Sequence, residues 1–166
     1  MAQSDIVDRD QILAGVAAGR KFVLVTHSLT NNVEKQLDFL IATVLKKYGR
    51  EGLQAALYSC VKEIVVNATK ANAKRVFFDE HGLKVADRDD YVKGMKRIKE
   101  LLSENWIMEY GRKAKQRNME VSIAVNHNAD GLRIEVKNDA DILPTDEERI
   151  RLKLAEGTTY DDLASF

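Results

Sequence analysis

The sequence predicts an α/β fold, with strands and amphipathic helices along one chain. Three observations lead there: a β-branched run near the N-terminus, two successive segments with apolar residues at helical spacing, and two alternating segments joined by a polar turn. Lys21 to His27, KFVLVTH, is the first strand, with a short helix expected before it over Asp10 to Ala18. Ser28 to Asn32 supplies capping-type residues. Val33, Leu37, Leu40, Ile41, Val44, Leu45 and Tyr48 then recur on one helix face that ends where Gly49 tolerates a left-handed cap. In the next helix Leu53, Leu57, Cys60, Val61, Ile64, Ala68 and Ala71 form the apolar face, and Arg75 to Phe78 reads as a short extended segment. Asp79 to Asn118 is charge-rich and reads as a helical insertion, with a helix from Asp89 to about Arg117 interrupted near Glu109 to Gly111. Met119 to His127 and Leu132 to Lys137 alternate around the turn Asn128 to Gly131, which is a hairpin signal. Pro144 closes the following loop, Asp146 to Ala155 suits a helix, and Glu156 to Phe166 has no clear period.

With 166 residues, 45% of them hydrophobic and 31% charged, one core and hence one domain over 1–166 is expected. Lys plus Arg and Asp plus Glu both number 26, so overall charge offers no argument for a nucleic acid, an anionic membrane or an acidic substrate. Binding must then rest on local sites. The single Cys60 has no partner for an intrachain disulfide, which fits a reducing compartment, and it is expected in the core. Met1 to Asp10 lacks the basic patch and apolar run of a signal peptide, and no stretch approaches a membrane span, so a cytoplasmic location without membrane contact is expected.

The chemistry concentrates on the second long helix. Glu63, Asn67 and Lys70 stand at i, i+4 and i+7, within a wedge of roughly 60°, while the expected apolar face centres some 120° away. A carboxylate, an amide and an ammonium in a row suit a phosphate and its metal. The Asn67 oxygen can ligate Mg²⁺, Lys70 can neutralise phosphate charge, and Glu63 can accept a proton from an attacking hydroxyl. On spacing alone, an ordinary solvated helix face explains the same three residues and is the commoner outcome.

The segment Cys60 to Ala73, CVKEIVVNATKANA, resembles the N-box of the GHKL (Bergerat-fold) ATPases: a Glu, three residues, an Asn followed by Ala, then a basic residue. The order of strand, helix, N-box helix, hairpin and polar turn is similar to histidine-kinase ATP-binding domains and, more closely, to anti-sigma-factor serine kinases. This resemblance implies a GHKL-type fold, an α/β sandwich in which a mixed β-sheet carries helices on one face, that binds ATP with Mg²⁺. It assigns Glu63 as base, Asn67 as metal ligand, and Lys70 and Ala71 as further nucleotide contacts. It also implies that Glu135 to Ile150 holds the first glycine box, where Asn138, Ala140 and Ile142 occupy the positions of an Asp and two glycines. Asn138 can still accept a hydrogen bond from an adenine amino group, whereas Ala140 and Ile142 restrict the backbone. Read without the resemblance, the same segment is an ordinary strand exit and turn.

Family members carry a GxGxG run after the lid that holds phosphates on backbone amides. After Gly131 this chain has only Gly157 before Phe166, so the expectation is a C-terminally incomplete fold, a fragment in preference to a shortened member. His27, His81 and His127 are scattered without metal-ligand spacing, and none lies in a phosphoacceptor box, so a phosphoryl group would pass to a protein partner such as a sigma or anti-sigma-type regulator. The insertion holds a basic excess interleaved with Tyr91, Trp106 and Tyr110, but a helix packing Ile98, Leu101, Leu102, Trp106 and Met108 onto the body is expected over nucleic-acid binding. A homodimer or partner contact is another role this segment suits. The expected function is Mg-ATP binding in a bacterial signalling kinase. Its rival is a degenerate, non-catalytic module of the same scaffold that binds a protein partner.

Overall fold

The computed structural model describes residues 8–140, residue 142 and residues 144–157. The elements run α1 (Arg9–Ala17), β1 (Phe22–Thr26), α2 (Asn31–Lys47), a 3-10 turn (Glu51–Leu53), α3 (Gln54–Glu80), α4 (Arg88–Leu101), α5 (Glu104–Gln116), β2 (Val121–His127), β3 (Leu132–Asn138) and α6 (Pro144–Gly157). The molecule thus combines helices with a small sheet. Residues 158–166 of the C-terminal stretch without a period lie outside the described residues.

Among the described residues the sheet is β1-β2-β3 and wholly antiparallel, which corrects the expected mixed sheet. The physical reason is local: β2 and β3 are joined by a short Asn128–Gly131 turn that only antiparallel strands accept, and β1 docks on the far side of β2 with Leu24 opposite Ile123. Asn128 stabilises that turn by accepting from the amides of Asp130 and Gly131. Strand alternation puts Leu24, Ile123, Val125, Ile134 and Val136 on the helix side, against Leu37, Leu40, Ile41 and Val44 of α2 and Val61 and Val65 of α3. Val23 and Val25 occupy the other face and are exposed.

Helix α2 starts where Thr30 accepts from the Val33 amide, and the positive φ of Gly49 follows its end. Helix α3 is continuous through Arg75 to Phe78, which corrects the extended segment expected there. Its later half enters a second apolar cluster, where Val76, Phe77 and Phe78 are fully buried among Ile98, Trp106, Tyr110 and Ala114. Burial from several sides makes three adjacent apolar residues compatible with a helix. The charge-rich segment breaks at Leu102–Ser103 and not at Glu109 to Gly111; Ser103 caps α5 by accepting from the Trp106 amide. Gly94 and Gly111 are packing glycines: Gly94 lies against the Phe78 ring and Gly111 against Ser28. Of the residues expected to pack here, Ile98 and Trp106 are buried while Leu101, Leu102 and Met108 are exposed. Cys60, expected in the core, is exposed as well. No helix of the described residues is long and apolar enough to cross a membrane.

Candidate functional site

Helix α3 carries most of the site. Gln54–Glu80 contains neither Gly nor Pro and repeats good helix formers, which accounts for its 27 residues without a kink signal. Its buried row is Val61, Val65, Ala68 and Asn72, not the row through Leu53 and Ile64, both of which are more than half exposed. At about 100° per residue this row centres roughly 160° from Glu63, Asn67 and Lys70. The polar stripe therefore faces away from the sheet instead of bordering the core. Glu63 and Asn67 are exposed, and Lys70 and Ala71 are half-buried. Among the described residues, no hydrogen bond or ion pair engages the side chains of Glu63, Asn67 or Lys70.

The segment leaving β3 is held against α3 by a residue that the sequence reading passed over. Asn72 is fully buried, donates through Nδ2 to the Glu120 carbonyl at 3.0 Å, and accepts at Oδ1 from the Ala140 amide at 3.1 Å and from Asn138 Nδ2 at 3.4 Å. Asn138 Nδ2 also donates to the Ala140 carbonyl at 3.3 Å. On the neighbouring turn, Asp139 Oδ2 accepts from the Glu120 amide. The entry of β2 and the exit of β3 are thereby tied to one point of α3, one residue beyond Ala71 and two beyond Lys70. Asn138 and Ala140 are half-buried there, whereas Ile142 is 64% exposed. The signal that could have found Asn72 was its place on the apolar row, i+4 from Ala68 and i+7 from Val65.

The predicted residues thus fall into two groups on α3 and its docked strand exit. Glu63, Asn67 and Lys70 form an open stripe; Asn138 and Ala140 are anchored to Asn72, on the buried row of the same helix. Ile142 makes no part of the anchored turn. Two clefts, of about 590 Å³ between α2 and the start of α3 and about 400 Å³ at the β2–β3 turn, are lined by none of these residues. No group of three or more His, Cys, Asp or Glu side chains converges to hold a metal among the described residues. An ion at Asn67 would therefore need oxygens from a bound phosphate and water, which is how Mg²⁺ commonly sits beside a nucleotide.

The three histidines serve separate places. His27 Nδ1 lies 2.7 Å from the Met119 carbonyl, His81 Nδ1 lies 2.8 Å from the Phe77 carbonyl, and His127 Nδ1 is hydrogen-bonded to Tyr48 Oη at 3.0 Å. Burial, and then the Lys47 ammonium, hold the His127 imidazole below its ordinary pKa. At the far end of α3, Lys113 donates to Glu80 at 2.8 Å and holds its carboxyl below the usual range. Trp106 and Tyr110 are buried and stacked on each other at 4.6 Å, so neither is available to stack on a base.

A protein of Treponema pallidum (strain Nichols), described only as uncharacterized, is 29% identical to this chain over 158 residues, covering 95% of this chain and 31% of that protein. The chain spans about a third of the length of that relative. No protein-family model and no solved structure matches.

Proposed function

We propose that α3 and the turn after β3 form a Mg²⁺-nucleotide site of the GHKL type, serving phosphotransfer in bacterial signalling. The observation that carries the reading is the row of Glu63, Asn67 and Lys70 on α3, whose side chains have no partner among the described residues, on the same helix to which Asn72 docks the turn after β3. In this reading ATP places its base at Asn138, Ala140 and Ala71 and its phosphates toward Lys70, whose ammonium no protein carboxylate neutralises among the described residues. Mg²⁺ ligated by Asn67 would offset phosphate charge. Glu63 would accept the proton of a hydroxyl acceptor on a protein partner, and most of the catalytic effect would come from positioning and charge stabilisation. The resemblance of CVKEIVVNATKANA to the N-box supports the assignment.

The second reading, a non-catalytic module that binds a protein partner, draws on different observations. The stripe lines neither cleft, and Ala140 and Ile142 stand where glycines are expected. Calorimetry with Mg-ATP and Mg-ADP on this chain, on its Asn67→Ala variant, and on any longer natural form separates the two. The nucleotide reading expects saturable binding that weakens at least about tenfold in the variant, the order expected for one lost charge-assisted contact. Absence of binding in both wild-type forms sinks it and leaves the partner-binding module.

A further inference from the structure

We propose that Asn72 is a positioning residue that fixes the amide orientation of Asn138 and thereby selects a 6-aminopurine over 6-oxopurines. The proposal rests on the nucleotide reading above and goes beyond it by locating the source of base specificity in a buried residue that touches no ligand.

The orientation of Asn72 follows from the backbone alone. Its amide bridges the Glu120 carbonyl, which can only accept, and the Ala140 N–H, which can only donate. Turning the amide over would set NH₂ against N–H and oxygen against oxygen at a site with no exposed surface. Oδ1 of Asn72 is therefore committed to the side facing Asn138. There it and the Ala140 carbonyl present two acceptors, and the Asn138 NH₂ group satisfies both, using its full complement of two protons. A turned Asn138 would point its oxygen at two other oxygens. The only atom of the Asn138 amide left for a ligand is thus its oxygen, an acceptor, and no hydrogen bond engages it among the described residues.

A fixed acceptor distinguishes bases. The 6-amino group of adenine donates to it; the 6-oxo group of guanine or hypoxanthine meets it oxygen to oxygen. The same network explains why an amide stands where the family resemblance leads one to expect Asp. A carboxylate at 138 would face Asn72 Oδ1 and the Ala140 carbonyl with no proton to donate.

The test is competition binding of Mg-ATP, Mg-ITP and Mg-GTP to the whole chain, with thermal melts alongside, for wild type, Asn72→Ala and Asn72→Asp. Wild type should prefer ATP over ITP by about tenfold or more, the scale of one buried hydrogen bond replaced by an oxygen–oxygen contact. Asn72→Ala frees Asn138 to turn, so the preference should fall to about threefold or less. Asn72→Asp keeps the acceptor at Oδ1 but loses the donor to Glu120; it should melt lower yet keep the ATP preference, which a merely structural role would not predict. If wild type binds none of the three, the nucleotide reading falls and this specificity with it. If wild type binds ATP and ITP equally, the nucleotide reading stands and this proposal is overturned. A folded Asn72→Ala that retains the preference also overturns it. Should Asn72→Ala fail to fold, the wild-type comparison and Asn72→Asp decide, the latter overturning the proposal if it binds ATP without discrimination.

Discussion

Replacing Gly94 by Ala tests whether the charge-rich segment is an integral part of the core. A Cβ at Gly94 would lie 2.3, 2.6 and 2.9 Å from three atoms of the Phe78 ring. All three separations are shorter than real Cβ contacts, and Phe78 has little room to retreat because it is 0% exposed and packs its ring near Phe77 and Tyr91 at centroid distances of 6.4 and 6.0 Å. Overpacking of this kind costs about 1–3 kcal/mol, and three simultaneous clashes on a fully buried ring place Gly94→Ala at the upper end, about 3 kcal/mol. Against this, Ala in a helix interior gains about 1 kcal/mol over Gly. The net expectation is a loss of about 2 kcal/mol, or roughly 1 M in urea midpoint for a slope near 2 kcal/mol/M. Gly52→Ala is the control, since a Cβ there meets nothing within 4 Å. Urea unfolding followed by far-UV circular dichroism measures the change, and the fluorescence of Trp106, the single tryptophan, reports on the second cluster specifically. A neutral or stabilising Gly94→Ala would refute the close packing of α4 on α3, because propensity alone predicts a gain.

Ser103→Ala should destabilise the chain by about 1 kcal/mol through loss of the cap on the Trp106 amide, and Ser103→Thr should retain most of it; the same urea series measures both. His127 sets part of the pH dependence. Its folded pKa is depressed by burial below the unfolded value of about 6.5, so its contribution is fully present above that pH and is lost as pH falls through 6.5 toward the folded pKa. Thermal melts should therefore fall between pH 7 and 5, and His127→Phe should flatten that part of the slope whatever it does to absolute stability; an unchanged slope would show that His127 is not buried in its neutral form.

The elements that alternate or recur most cleanly were legible in the sequence. KFVLVTH, the Met119–Lys137 hairpin and the helix from Val33 to Tyr48 each match an observed element to within a few residues, because one face of each is core and the other solvent. Two errors share one cause. Arg75 to Phe78 reads as extended, and Ile64 reads as core, when burial is assumed to come from a single side. Helix α3 is enclosed by the sheet over its first half and by α4 and α5 over its second, so the apolar row changes direction along it. Cys60 was misplaced by the same assumption about which side of α3 is inward. The polar stripe was legible as a stripe, but its direction relative to the core was not, since that depends on Asn72 substituting for an apolar residue on the buried row.

The position of Asn72 also bears on how the rest of the chain acts on the stripe. Its partners are the entry of β2 and the exit of β3, so anything that shifts the hairpin moves Asn138 and Ala140 relative to Lys70 on the same helix. The second cluster begins one residue later, at Ala73, and α5 is fastened to its end by Lys113 on Glu80 and Arg117 on Asp79. These outer ion pairs are part-exposed and worth little individually. The buried aromatic contacts of Phe77 with Trp106 and Tyr110, at 6.1 and 5.5 Å, carry the attachment. Helix α3 is thus clamped immediately on the C-terminal side of the stripe, while Glu63 and Asn67 remain without side-chain partners among the described residues. In the proposed nucleotide reading this arrangement would hold the helix while leaving those groups open to a ligand, next to the stretch of α3 that the hairpin and the α4–α5 segment both grip.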